Sequence, residues 1–180
     1  MAFVAKSLSL VLFVSLLFSF AALTQQSSIQ QNVRILQSSD DCVYIVYTKT
    51  GTKLGAGTDS GISLALYDSY GDYIIIQNLK KWGGIMGQKH NYFENGDLDV
   101  FSNLGGCLKG PVCKMTLTSD GKGSGSDWYV EDLQVTTTGP QIPCAQKVFT
   151  IEQWLALDTS PYKLSVTKNL CNNKTSSVSL

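Results

Sequence analysis

From Cys42 onward the chain breaks into short runs in which apolar and polar residues alternate. Gly61–Asp68 sets Ile62, Leu64 and Leu66 against Ser63, Ala65 and Tyr67, and Cys113–Ser119 sets Met115 and Leu117 against Lys114, Thr116 and Thr118. A period of two is that of a strand with one buried face, because successive side chains point to opposite sides of the backbone. Cys42–Thr50, Tyr73–Leu79, Asp97–Phe101, Trp128–Thr138, Lys147–Leu155 and Tyr162–Lys168 are strand-like runs of the same kind. Between the runs stand Thr50-Gly51, Tyr70-Gly71-Asp72, Asn95-Gly96-Asp97, Asp120-Gly121 and Gly139-Pro140. These residue types supply the dihedral angles and local hydrogen bonds that a reversal needs. Eight strand-like runs at turn spacing predict an all-β sandwich or barrel. Strict alternation over Trp128–Val135 puts Tyr129, Leu133 and Val135 on one face and Trp128 and Val130 on the other. That run is therefore buried on both faces or bulged near Glu131-Asp132. Thr150-Ile-Glu-Gln153 has the form of a helix capping box, but a strand is expected there.

The segment before Cys42 follows a different pattern. Lys6 precedes an apolar run of 16 residues, Leu8–Leu23, which passes through Phe20-Ala21-Ala22 into polar Thr24-Gln25-Gln26. A spanning helix needs about 20 apolar residues. The shorter run with small residues near its end predicts a secretory signal peptide over residues 1–24, cut between Ala21 and Gln25. An uncleaved anchor is the alternative. Residues 25–39, rich in Gln and Ser, are expected to be a flexible polar arm, residues 40–171 the folded domain, and residues 172–180 a flexible tail.

Export sets the reading of the five cysteines, because disulfides persist in oxidising compartments. Cys107 and Cys113 close a short loop, Leu-Lys-Gly-Pro-Val, and are expected to pair, with a second bridge from Cys42 to Cys144 or Cys171. Asn173-Lys174-Thr175 is a glycosylation sequon, usable after export.

Charge narrows the partners. Fourteen basic residues balance fourteen acids, yet every acid lies between Asp40 and Asp158, and Arg34 is the only arginine. Without a basic excess or arginine forks, nucleic acid is not an expected partner. Gly121-Lys-Gly-Ser-Gly-Ser126 lacks the Gly-Lys-Ser/Thr ending and following helix of a phosphate cradle, so no nucleotide is expected. His90 is the single histidine and stands in a polar loop, with no Gly-x-Ser-x-Gly elbow elsewhere. An enzyme acting through His90 is a remote reading, and catalytic residues are not expected.

Two constellations remain. Asp59 lies in the glycine-rich Gly55-Ala-Gly-Thr-Asp-Ser60, and Asn95, Asp97 and Asp99 cluster after Phe93-Glu94. Such oxygen donors at loop tips suit a hard cation such as calcium, although neither run has the EF-hand spacing and the residues alone favour turn chemistry. Lys80-Lys81-Trp82-Gly83-Gly84-Ile85-Met86 places an aromatic and aliphatics beside two lysines. Trp82 there either dips into a lipid interface or covers the open end of the sandwich.

These segments together resemble a known family. Val43–Thr50 leading into Gly51, Ala56-Gly57-Thr58-Asp59 and Ile62–Tyr67 resemble the opening of the PLAT/LH2 domain. Asn91-Tyr-Phe-Glu-Asn-Gly-Asp-Leu-Asp-Val-Phe101 and Asp127–Val135 are similar to its middle and end. Phe149–Tyr162, with the surrounding cysteines, resembles the small secretory plant proteins built from a signal peptide and one such domain. The resemblance implies an antiparallel β-sandwich of two four-stranded sheets and no catalysis. Two of its strands are then either hidden in 80–95 and 102–110 or supplied by the last two runs. It implies binding to a membrane lipid surface or to a protein partner. It also implies calcium held by Gly57, Thr58, Asp59, Asn95 and Asp97, with Trp82, Ile85, Lys80 and Lys81 at the membrane. The implied setting is the plant abiotic stress response, in the endoplasmic reticulum or outside the cell (the apoplast).

Overall fold

A computed structural model of the protein describes residues 41–140 and 142–171. The expected signal peptide, polar arm and tail, with the sequon at Asn173, lie outside them. The strands are β1 (Asp41–Thr50), β2 (Ile62–Tyr67), β3 (Tyr73–Ile76), β4 (Leu98–Gly106), β5 (Lys114–Ser119), β6 (Trp128–Gly139), β7 (Ile142–Leu155) and β8 (Ser165–Asn169). A five-residue helix, α1 (Leu79–Gly83), stands between β3 and β4. Two four-stranded antiparallel sheets result, ordered β4-β1-β6-β7 and β3-β2-β5-β8. Every expected run becomes a strand, and the last two complete the sandwich. The capping-box segment is strand, inside β7.

The alternation in sequence is the alternation in burial. Tyr44 and Val46 of β1, Leu64 and Leu66 of β2, Met115 and Leu117 of β5, and Phe149 of β7 all turn inward and are buried. Each such side chain contributes roughly 1.5–3 kcal/mol when removed from water. The β6–β7 register shifts between Val130 and Asp132, which is the bulge. One extra residue there reverses the parity, so Trp128, Val130, Leu133 and Val135 all reach the core. The run Tyr73–Leu79 stops being strand at Ile76. Asn78 Oδ1 accepts the Lys81 N–H at 3.0 Å and starts α1, which buries Leu79.

The cysteine pairing differs from the expectation. Cys42 bonds Cys107 and Cys113 bonds Cys171, while Cys144 is free and exposed. Strand register is the cause. Cys42 faces Gly105 across the β1–β4 ladder, so the chain leaving β4 brings Cys107 to it. Cys113 precedes Lys114, which faces Asn169 across the β5–β8 ladder, and Cys171 follows just beyond. Cys107 and Cys113 are near in sequence but anchor the two ends of one loop to two different sheets.

Because β1 runs from Asp41 opposite Gly106 to Lys49 opposite Leu98, the connections sort into two ends. The β1–β2, β3–β4, β5–β6 and β7–β8 connections gather at one end, the loop end. Both disulfides lie at the other.

Candidate functional site

At the loop end the β1–β2 connection is threaded between two others. Thr58 N–H donates to the Phe93 carbonyl at 3.0 Å, and Tyr129 N–H to the Ala56 carbonyl at 3.0 Å. Ser60 Oγ donates to the Lys122 carbonyl at 2.9 Å. Ala56, Thr58 and Ser60 are buried, so Gly57 and Asp59 are left outward by the same period of two that shapes the strands. Gly57 must be glycine for steric reasons: a Cβ there would stand 3.0 Å from Asn95 N and 3.1 Å from the Phe93 carbonyl oxygen. Thr58 Oγ1 accepts the Ser60 N–H, so its hydroxyl is already committed inward.

The outcome is an open pocket of about 280 Å³ whose lining includes Gly57, Thr58, Asp59, Glu94, Asn95 and Ser124. Four residues of the expected calcium set (Gly57, Thr58, Asp59 and Asn95) meet here, and Glu94, outside that set, adds a second carboxylate. Asn95 Nδ2 donates to the Lys53 carbonyl at 2.5 Å, tying the two loops together. The carboxylate, amide, hydroxyl and carbonyl oxygens around this pocket are the donor chemistry of a hard cation.

Asp97 lies elsewhere. It does not line that pocket; its carboxylate lies with His90 and Asp99, one ligand atom from each falling within 4.8 Å of the others. Asp99 is fully buried, its Oδ1 at 2.6 Å from His90 Nε2 and its Oδ2 accepting the Phe93 N–H at 2.7 Å. Phe93 has φ 67°, a left-handed conformation costly for a bulky residue. The Asp99 carboxylate, with ring contacts to Phe101 and Trp128 at 5.6 and 4.9 Å, holds it there.

The segment expected at a membrane divides. Trp82 is half-buried and packs against the core, and its carbonyl accepts a hydrogen bond from Asn103. Lys80 Nζ sits 5.2 Å above the Phe93 ring, Lys81 is exposed, and Ile85 is 58% exposed. Leu54, not among the expected contact residues, is 99% exposed at the tip of the β1–β2 loop. It immediately precedes Gly55 of the oxygen-lined pocket. A lone Leu between Lys53 and Gly55 carries no periodicity, so only the loop's path reveals it.

A family model described as PLAT/LH2 domain matches residues 44–168. The chain is 48% identical over 161 residues to PLAT domain-containing protein 2 of Arabidopsis thaliana, spanning 89% of this chain and 84% of that one. It is 50% identical over 139 residues to PLAT domain-containing protein 1 of the same plant, spanning 77% of each. Among solved structures, a coral 8R-lipoxygenase described as showing calcium activation via a C2-like domain superimposes with a TM-score of 0.51 at 23% identity. That likeness, one of fold, covers 69% of this chain and 16% of the lipoxygenase.

Proposed function

The chain belongs to the PLAT/LH2 domain family, and on that premise we propose that it is a non-catalytic, calcium-assisted membrane-interface module. Its setting in this reading is the plant secretory pathway, in the endoplasmic reticulum or the apoplast, and its role is in abiotic stress tolerance. The observation that carries the binding reading is the pairing, on one loop, of an oxygen-lined pocket with an apolar tip. Asp59 and Glu94 make the pocket anionic, and Leu54 stands bare beside it. A cation held by Asp59, Glu94 and Asn95 would neutralise the carboxylates and leave Leu54 free to enter the lipid interface. Two disulfides support the secretory setting. His90, on which an enzymatic reading would turn, is engaged with buried Asp99.

Liposome co-sedimentation tests the reading. Binding to anionic vesicles is expected with calcium and not with chelator, and Asp59→Ala should remove the calcium-dependent fraction. Leu54→Ser should weaken binding about tenfold, the effect of losing roughly 1.5 kcal/mol of apolar burial. Trp82→Ala should act through stability instead. Sedimentation indifferent to calcium and to both loop variants would overturn the proposal. A protein-interaction adaptor without lipid binding is the second reading, favoured by Tyr73 and Ile75 of β3, which are both more than half exposed.

A further inference from the structure

We propose that His90, Asp97 and Asp99 form a site for a zinc-class divalent transition ion, separate from the oxygen-lined pocket at Asp59. The three residues each offer a ligand atom, and those atoms lie within 4.8 Å of one another. An imidazole nitrogen beside two carboxylates is a donor set for zinc and its neighbours, whereas calcium takes oxygen alone. The charge of the site asks for a cation. Asp99 is fully buried, and among the described residues its only ion-pair partner is His90. Burying a carboxylate is costly unless its charge is compensated, and a bound dication would add to what His90 and the Phe93 N–H supply.

A second observation lies beside it. Among the described residues, Thr48 Oγ1 is the one buried side-chain polar atom with no hydrogen-bond partner. Thr48 stands directly across the β1–β4 ladder from Asp99, and both residues are buried on the inner face of the sheet. Register partners project to the same face, so the Thr48 and Asp99 side chains stand beside each other, although the hydroxyl makes no hydrogen bond to the carboxylate. An ion that takes His90 Nε2 as a lone-pair donor ends the His90–Asp99 hydrogen bond. Thr48 is then the hydroxyl at hand to donate to Asp99 in its place. The 2.6 Å contact between His90 and Asp99 must open slightly, since two donors at tetrahedral zinc lie about 3.3 Å apart. His90 is 23% exposed and Asp97 is partly exposed, which gives the ion a path in. Filling the site would tie the loop that ends at Phe93 to the start of β4.

The test is calorimetric titration of the purified protein with zinc chloride, repeated on four variants. One ion per chain is expected. His90→Gln and Asp97→Asn should each weaken binding about 10–100-fold, the range seen when even a supporting partner of a metal site is removed. Asp59→Asn should leave zinc binding unchanged, which separates this site from the calcium pocket, and Cys144→Ser should too, which excludes the free thiol. The melting temperature without metal checks that each variant is folded; should His90→Gln fail that check, part-exposed Asp97→Asn decides. No zinc binding overturns the proposal. So does binding that survives the His90 and Asp97 changes, or that is lost with Asp59 or Cys144.

Discussion

Asp99 shows how one side chain can organise a loop. Its two oxygens take the Phe93 N–H and the His90 ring, so a left-handed phenylalanine and the single histidine are both held from one buried point on β4. Asp132, on the β6 bulge, is the contrary case. Burial first, and then the neighbouring Glu131 carboxylate, push its pKa above the ordinary 3.8, partly offset by Lys49. The charged form is thus disfavoured in the fold. Stability from this group is full below pH 3.8 and is lost as pH rises through the raised value. Asp132→Asn should therefore raise the melting temperature at pH 7. The difference should vanish in melts recorded below about pH 3.8, the ordinary aspartate value. A gain that is the same at both pH values would show that the charge is not the cause.

At the scale of elements, the β4–β5 loop governs how the sheets are joined. Cys107 ties its start to β1 in one sheet, and Cys113 ties its end to Cys171, two residues beyond β8 in the other. Tyr44 of β1 adds to this, its hydroxyl donating to the Gly106 carbonyl at 2.8 Å and accepting the Leu108 N–H at 3.3 Å. The bridges span 65 and 58 residues of sequence. Closing loops of that size restricts the unfolded chain far more than a seven-residue loop would. Replacing Cys113 and Cys171 together by Ser should lower the unfolding free energy in urea by about 2–4 kcal/mol, while Cys144→Ser should leave it unchanged. Disulfide mapping that joins Cys107 to Cys113 would overturn this arrangement.

At the scale of the molecule, the two ends of the sandwich differ in construction. One end is locked by covalent bonds, and the other gathers carboxylates, amides and glycine-rich loops around an open pocket. A cation that bridges the β1–β2 and β3–β4 loops there binds the folded state alone. At one hundred times its dissociation constant, calcium should stabilise the protein by about 2.7 kcal/mol, seen as a rise in melting temperature that Asp59→Ala abolishes. An unchanged melt at saturating calcium would remove the cation from the mechanism proposed for membrane binding.

Eight strands and their buried faces were legible in the residues, because each rests on a period of two and on local turn chemistry; over Trp128–Val135 the same pattern left two-sided burial and a bulge both open, and the β6–β7 register decided for the bulge. The sequence also marked Gly57, Asp59 and Asn95, whose residue types carry their chemistry wherever the chain goes. Which cysteines pair was not legible there, since pairing follows from strands that meet across dozens of residues. Only the tertiary structure separated Asp97 from Asp59 and placed it beside His90 and Asp99. It set Thr48 across from Asp99, turned Trp82 inward and left Leu54 bare. Each of these depends on register and loop path, which are fixed by long-range packing and leave no trace in the residues on either side.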